Sequence, residues 1–348
     1  MIERRARVAL RLIAVLAVIC LQSQYGLAAV ADDSAEELYA RAVELFESRQ
    51  ASALAESADL FEKVIRLEPR HALAFSGLAA NSCLQALYSL APPREVMPRA
   101  RRSAAAAVEL DPGLAQPYAS LALVAFLFDW DWRRAEELFL LSFEKDPTYA
   151  QARHWYAMLL TARRRFDEAV GQIDEAQRLD PGSRIITVKR GTVLTAAGHF
   201  ASAEEQLRLA IERFPRMALP WRELGFLRLR QGRLEDAVEN FERAAGLGGG
   251  ASKSSGGLGY VYGRVGREEE SWAILEDFVE RSQSSFVPPL YVALMYAGLD
   301  EPETALDWLE KAMEIRDPGL VYLGVKPGYE SLRGEVRFRE LLRTVGMD

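Results

Sequence analysis

Proline recurs at positions 147, 181 and 215, a step of 34 residues, and each one closes a helical run: "FEKDPTYA", "QRLDPGSR" and "IERFPRMA". A fixed step constrains the fold more than any local motif, because such a chain must stack one supersecondary unit many times. Other columns keep the step. A small residue recurs at Ala135, Ala169, Ala203, Ala237, Ser271 and Ala305, and a second small column runs Ala157, Gly191, Gly225, Gly259 and Ala293. Large apolar residues align at Phe139, Ile173, Leu207, Phe241, Leu275 and Leu309. Another large column, Leu160, Leu194, Tyr262 and Tyr296, is broken only at Arg228.

The spacing predicts a helical hairpin: two antiparallel helices approach closely where the side chains are small, with bulky residues filling beside the crossing. Gly198, Gly232 and Gly266, again 34 apart, stand where the first helix of each hairpin must end. Each hairpin is amphipathic on two sides, so neighbours stack into a superhelix with contacts expected only between nearest neighbours. The next beat of the proline column falls on Gly249, which accounts for "GLGGGASKSSGG" at 246–257. That stretch is not a phosphate loop of the form G-x-x-x-x-G-K-[ST], because Leu247 and Ser252 replace both required glycines and a helical run precedes it. Without the proline, it is expected to act as a hinge.

This pattern resembles the tetratricopeptide repeat, whose signature is W-x-x-L-G-x-x-Y, then A-x-x-x-F, then P. Trp221, Leu224, Gly225, Ala237 and Phe241 match it, while Arg228 and Gly249 depart from it. The expected fold is all-α: a right-handed superhelical solenoid of about eight hairpins over 36–318, followed by a C-terminal cap at 319–348. Unit starts are expected near 36, 72, 115, 150, 184, 218, 252 and 286. Longer stretches such as "FDWDWRRAEELF" and "PPLYVALMYAGLDEPETALDWLEKA" are similar to the repeat half of bacterial multidomain regulators, in which such arrays follow a winged-helix, TolB-like or kinase domain. Here residues that read as a signal peptide stand where the effector domain would be, so DNA binding and kinase activity are not expected to carry over.

Residues 1–31 read instead as a secretory signal peptide. Arg4, Arg5, Arg7 and Arg11 are followed by the apolar run "LIAVLAVICL" and by Ala29-Val30-Ala31. Ten apolar residues are short for a bilayer span, so cleavage and export, periplasmic in a bacterium, are expected, with retention as a membrane anchor the alternative. Beyond it remain 39 basic and 49 acidic residues, a net charge of −10. That balance argues against a nucleic-acid binder. The one remaining cysteine, Cys83, reads as a small core residue, and no intramolecular disulfide can form.

Catalytic constellations are scarce. His71, His154 and His199 form no i, i+4 metal pair, and neither H-E-x-x-H, C-x-x-C nor G-x-S-x-G occurs. No cofactor or metal is expected. Asp129 and Asp131 of "DWDW" read as helix caps, and Trp130 and Trp132 as packing anchors of an altered turn. Arg190 and Arg228 occupy core columns and need acidic or carbonyl partners, or a path to the edge.

The resemblance implies partner binding along the concave face, lined by the second, fifth, ninth, twelfth and thirteenth positions of each first helix. Carried onto this sequence, those positions give Leu123, Phe126, Gln151, His154, Met158, Arg222, Phe226, Arg230, Lys253, Tyr260 and Arg264. Aromatic and cationic groups mix there, which suits a protein or peptide partner that is acidic or bears a C-terminal carboxylate. The function so read is an exported, non-catalytic scaffold. Its alternative is a regulatory or sensory module that responds to a ligand.

Overall fold

The structure, a computed structural model, describes residues 34–248 and 253–347. The signal-peptide reading and the centre of the glycine-rich stretch lie outside the described residues. Among these there are seventeen α-helices and no strand. Sixteen of the helices pair as eight hairpins: α1 (Ala35–Ser48) with α2 (Ala51–Leu67), α3 (Ala72–Leu87) with α4 (Pro93–Leu110), and α5 (Gln116–Val124) with α6 (Trp132–Lys145). Then follow α7 (Ala150–Ala162) with α8 (Phe166–Leu179), α9 (Arg184–Ala196) with α10 (Phe200–Arg213), and α11 (Ala218–Arg230) with α12 (Leu234–Gly248). The last are α13 (Lys253–Arg264) with α14 (Glu268–Ser282), and α15 (Pro289–Gly298) with α16 (Pro302–Ile315); α17 (Val336–Val345) closes the chain. The solenoid is the all-α superhelix that the period demands.

Local chemistry sets the boundaries. Ser34 and Glu37 form a reciprocal capping box that starts α1, Asp131 accepts from the backbone N–H of Arg134 to start α6, and Ser183 caps α9. First helices end in a left-handed residue at Trp130, Arg164, Gly198, Gly232, Gly266 and Asp300, six positions in steps of 34. From Arg165 onward, the next N–H in each case donates back to the carbonyl five residues earlier, for example His199 to Leu194 at 2.9 Å. The third hairpin is the exception. Its first helix finishes in a π turn over Ala125–Asp129, and Asp131 N–H reaches back to Ala125.

Packing inside a hairpin follows the small and large columns. A Cβ built on Gly191 would fall 2.6 Å from Leu207, and one on Gly225 would fall 2.9 Å from Phe241. Second helices bury one stripe each, such as Ala169, Ile173 and Ala176 in α8 or Ala237, Phe241 and Ala244 in α12. First helices are covered on most sides, because each is clasped by its own partner and by the next hairpin.

The expectation of nearest-neighbour contacts alone needs correction. One apolar cluster joins Leu123, Phe126 and Trp155 of the third and fourth hairpins to Leu294 of the eighth and to Leu320, Tyr329 and Phe338 beyond it. The physical reason is the segment after α16. It runs from Asp317 through two 3-10 turns, Pro318–Tyr322 and Glu330–Gly334, into α17, and it crosses back over the concave face. It does more than cover the open end of the stack. Arg164 donates to the Gly324 carbonyl at 2.9 Å, Arg163 to Gly346 at 3.2 Å, and Trp132 to Val345 at 2.7 Å. Its own anchor to α16 is Arg337, which reaches Glu303, Asp307 and Glu310. Three further apolar clusters hold most of the core of the fifth, sixth and seventh hairpins, while Ile186 and Val193 of the fifth join the shared one, and these hairpins border the gap that remains.

Candidate functional site

The gap is a cavity of about 1910 Å³ on the concave side. First helices α7, α9 and α11 supply one wall, the C-terminal segment supplies the facing one, and the α1–α2 turn contributes Arg49 at one end. Repeat geometry explains the arrangement: successive first helices present the same register toward the axis of the superhelix.

Six of the eleven sequence-derived groove residues line this cavity: Gln151, His154, Met158, Arg222, Phe226 and Arg230. Leu123 and Phe126 do not, because both are fully buried in the cluster shared with the C-terminal segment. Tyr322 of that segment packs edge-on to Phe126, with ring centroids 6.2 Å apart. Tyr260 is half-buried near Gly328, Arg264 is exposed, and the side chain of Lys253 lies outside the described residues.

Three groups that the sequence did not single out, Lys189, Glu223 and Lys326, sit among the six. Lys189 reaches Glu223 at 3.5 Å, Arg222 reaches the same carboxylate at 2.8 Å, and Lys326 of the C-terminal segment lies 4.7 Å from the centre of the Phe226 ring and 5.4 Å from that of Tyr291. A signal for the first pair was available, since Lys189 and Glu223 are 34 apart and therefore occupy the same register in successive repeats with opposite charge. Lys326 carried none, because it lies beyond the period.

Electrostatics follow from enclosure. Burial alone would raise the Glu223 carboxyl, but Lys189 and Arg222, with a weaker push from Lys326, outweigh it and hold it at about 2. Lys326 is pulled down to about 8, first by burial and then by Arg222, against Glu223 and Asp317. Burial also lowers Lys189, against the pull of Glu223. His154 is 3% exposed, and burial, then Lys189 and Arg49, lower it to about 3, so its ring is neutral at pH 7. Arg49 donates to Gln151 Oε1 at 3.3 Å, which turns the Gln151 amide nitrogen toward His154 Nδ1 at 2.8 Å. The network therefore assigns the ring proton to Nε2.

No group of three His, Cys, Asp or Glu able to hold a metal occurs among the described residues. Cys83 is fully buried, its thiol pushed up to about 12 by burial, and it donates to the Ser120 carbonyl. Of the "DWDW" pair, Asp131 is a cap, whereas Asp129 binds Arg101. Trp130 lies under the Arg316 guanidinium at 4.4 Å. No described helix is long and apolar enough to cross a membrane.

No protein-family model and no curated protein matches the chain. Solved structures do. The chain is similar to that described as the APC/C hetero-tetramer Cut9–Hcn1, at a TM-score of 0.60 and 17% identity, over 92% of this chain and 57% of that one. It is similar to human IFIT1, described as a dimer with m7Gppp-AAAA, at 0.59 and 15%, over 81% and 72%. For yeast Tom70 the values are 0.52 and 13%, over 91% and 69%. Thus the chain spans little more than half the length of the Cut9 chain. The shared fold is that of tetratricopeptide-repeat proteins.

Proposed function

We propose that the protein is an exported, non-catalytic binding array that holds a segment of a protein or peptide partner in the cavity between its first helices and its C-terminal segment. The observation that carries the reading is the convergence of Arg222, Arg230 and Lys189 with the Phe226 ring on one interior wall. Cations beside an aromatic face suit a peptide end that is acidic or carries a free carboxylate. The wall is partly enclosed, with the Arg222 side chain 16% and that of Lys189 24% exposed, so a charge-assisted bond formed there is worth more than one on an open helix face. The chaperone-binding clamp of the repeat family, which needs paired asparagines, is not the mode here, since Phe226 stands where one would be.

The test is binding of fluorescent peptides of defined end group to the chain from residue 32 onward. Peptides ending in free carboxylates are expected to bind, and Arg230→Glu to weaken them roughly tenfold, the scale of a 1.4 kcal/mol loss. Equal binding by the variant would remove the cavity from the reading. Export is tested separately, by sequencing the N-terminus of the chain recovered outside the cytoplasm, which is expected to begin at Asp32.

A second reading is favoured by one observation. The C-terminal segment ties the third and fourth hairpins to the eighth, so a ligand in the cavity touches both walls of a closed arch. Such a ligand would alter the curvature of the array, as a regulatory or sensory module requires. A ligand-dependent change in scattering radius is the expected sign, and an unchanged radius on saturation would dismiss this reading.

A further inference from the structure

The wall that the C-terminal segment adds changes what the cavity selects. Three cations come together there from three separate elements: Lys189 on α9, Arg222 on α11 and Lys326 on the segment itself. Two carboxylates lie among them, Glu223 and Asp317, and both act electrostatically on Lys326. His154, on the neighbouring turn of the wall, is neutral and adds no charge. These five groups sum to one positive charge, and Arg49, Arg184 and Arg230 line the same cavity, so the lining keeps a positive surplus that its acids do not balance. Apolar side chains also face it, among them Phe226, Tyr291, Tyr322, Val325, Met158 and Val193.

We propose that this cluster seats a compact hydrophobic acid: one carboxylate at Lys189, Arg222 and Lys326, with its apolar body along the aromatic and aliphatic lining. An anionic head group answers that surplus. A phosphate monoester brings nearly a second charge against Glu223 and Asp317, and a cation or a neutral alcohol leaves the surplus uncompensated. The volume is ample for such a molecule, whereas the C-terminal segment takes away the open groove along which a long folded partner would lie. Because Lys326 belongs to the segment and the other two cations to the repeats, the bound acid bridges the two walls. The inference deepens the ligand-responsive reading, and it shares with the peptide reading the chemistry of a single carboxylate, whose source is a free acid here and a chain end there.

The experiment is calorimetric titration of the chain from residue 32 onward with decanoate, decanol, decyl phosphate and decylamine, all below their micelle concentrations. Decanoate is expected to bind at least tenfold more tightly than the other three. Lys326→Met and Lys189→Met are each expected to reduce the decanoate affinity tenfold or more and to leave decanol unchanged. Burial already disfavours the charge on Lys326, so its replacement by the apolar Met is expected to keep the fold, which circular dichroism checks. Equal affinity for decanoate and decanol, or an unchanged Lys326→Met, would overturn the proposal. A paired titration with peptides carrying a free or an amidated C-terminus separates the sources. If the free-acid peptide binds and decanoate does not, the hydrophobic-acid inference fails and the peptide reading stands. If neither binds, both fail.

Discussion

The indole Nε1 of Trp132 donates to the backbone carbonyl of Val345 at 2.7 Å, a bond that joins the third hairpin to the last turn of the chain. Arg163 reinforces the joint from the fourth hairpin, with its guanidinium 5.4 Å from the Trp132 ring centre and a hydrogen bond to the next carbonyl, that of Gly346. Gly346 is left-handed at the end of α17, and a Cβ there would fall 2.7 Å from the indole nitrogen. Trp132→Phe keeps an aromatic ring beside Phe126 but removes the donor. It is expected to cost about 1 kcal/mol, the usual worth of one hydrogen bond. Hydrogen exchange should show where: faster exchange is expected in α17 with α9 to α14 unchanged. Uniformly faster exchange along the chain would mean that the joint supports the whole array and not the closure alone.

Arg228 interrupts a column of large apolar residues, and its side chain is only 3% exposed. Its partner is Glu204 of the preceding hairpin, which accepts two bonds at 2.6 and 2.8 Å, while Gln231 accepts a third. The Arg228 guanidinium, together with Arg208, outweighs the burial of Glu204 and holds its carboxyl at about 2. Breaking the pair from one side leaves a buried charge, so Glu204→Gln is expected to cost about 3 kcal/mol. Replacing both, Arg228→Tyr with Glu204→Gln, restores the residue type of the column and is expected to lie within about 1 kcal/mol of the parent. Urea unfolding of the four proteins of that cycle measures both values, and additive single costs would mean that the two side chains do not interact.

Much of the fold was legible because the period writes the same instruction many times. The small columns mark the helix crossings: Gly191 meets Leu207 and Gly225 meets Phe241, each large residue drawn from an aligned column. The turn column was read only in part. Gly198, Gly232 and Gly266 announced a left-handed residue, but Trp130, Arg164 and Asp300 take the same conformation at the same step without the glycine that signals it. Six groove positions converge because the register of first helices is itself periodic. Leu123 and Phe126 are covered because the segment that covers them lies after the period ends, and nothing in a repeat states where a non-repeating tail will fold. Arg190 shows the same limit on a smaller scale. Its need for a partner followed from its column, yet the partners, Asp174 at 2.7 Å and Gln206 at 2.8 Å, are fixed by three-dimensional neighbours.

Two glycines, one in a first helix and one in a second helix, are expected to respond in opposite directions to the same substitution. Gly225 in α11 faces the Phe241 ring, and an alanine Cβ would stand 2.9 Å from it. The helix gains about 1 kcal/mol from alanine, but overpacking a tight crossing costs about 1–3 kcal/mol. Gly225→Ala is therefore expected to destabilise by about 1 kcal/mol. Gly171 in α8 is exposed, and nothing lies within 4 Å of an added Cβ. Gly171→Ala is expected to stabilise by about 0.5–1 kcal/mol, since only the backbone-entropy difference remains. Thermal unfolding of both variants decides the matter, and a stabilised Gly225→Ala would show that the crossing has room to spare.

The neutral His154 makes stability depend on pH in a defined window. In the unfolded chain the ring takes up a proton near its ordinary value of 6.5, whereas in the fold it does so only near 3. Below pH 6.5 the unfolded state therefore binds more protons than the native one, and stability falls as the pH falls, until the native ring is protonated too. Between pH 6.5 and pH 4 the loss is expected to be about 3 kcal/mol, at about 1.4 kcal/mol per unit. Glu223 acts in the same direction but later, from its ordinary carboxylate range at 4.5 down to about 2, so the two windows overlap little above pH 4.5. His154→Leu removes the titrating ring. At pH 7 it is expected to be less stable than the parent by about 1 kcal/mol, because Gln151 loses its partner. On acidification to pH 4.5 the parent should lose stability while His154→Leu holds nearly level, so their curves converge and cross. Urea midpoints at half-unit steps from pH 7 to pH 4.5 follow the two proteins, and parallel curves would mean that His154 is not held neutral by its enclosure.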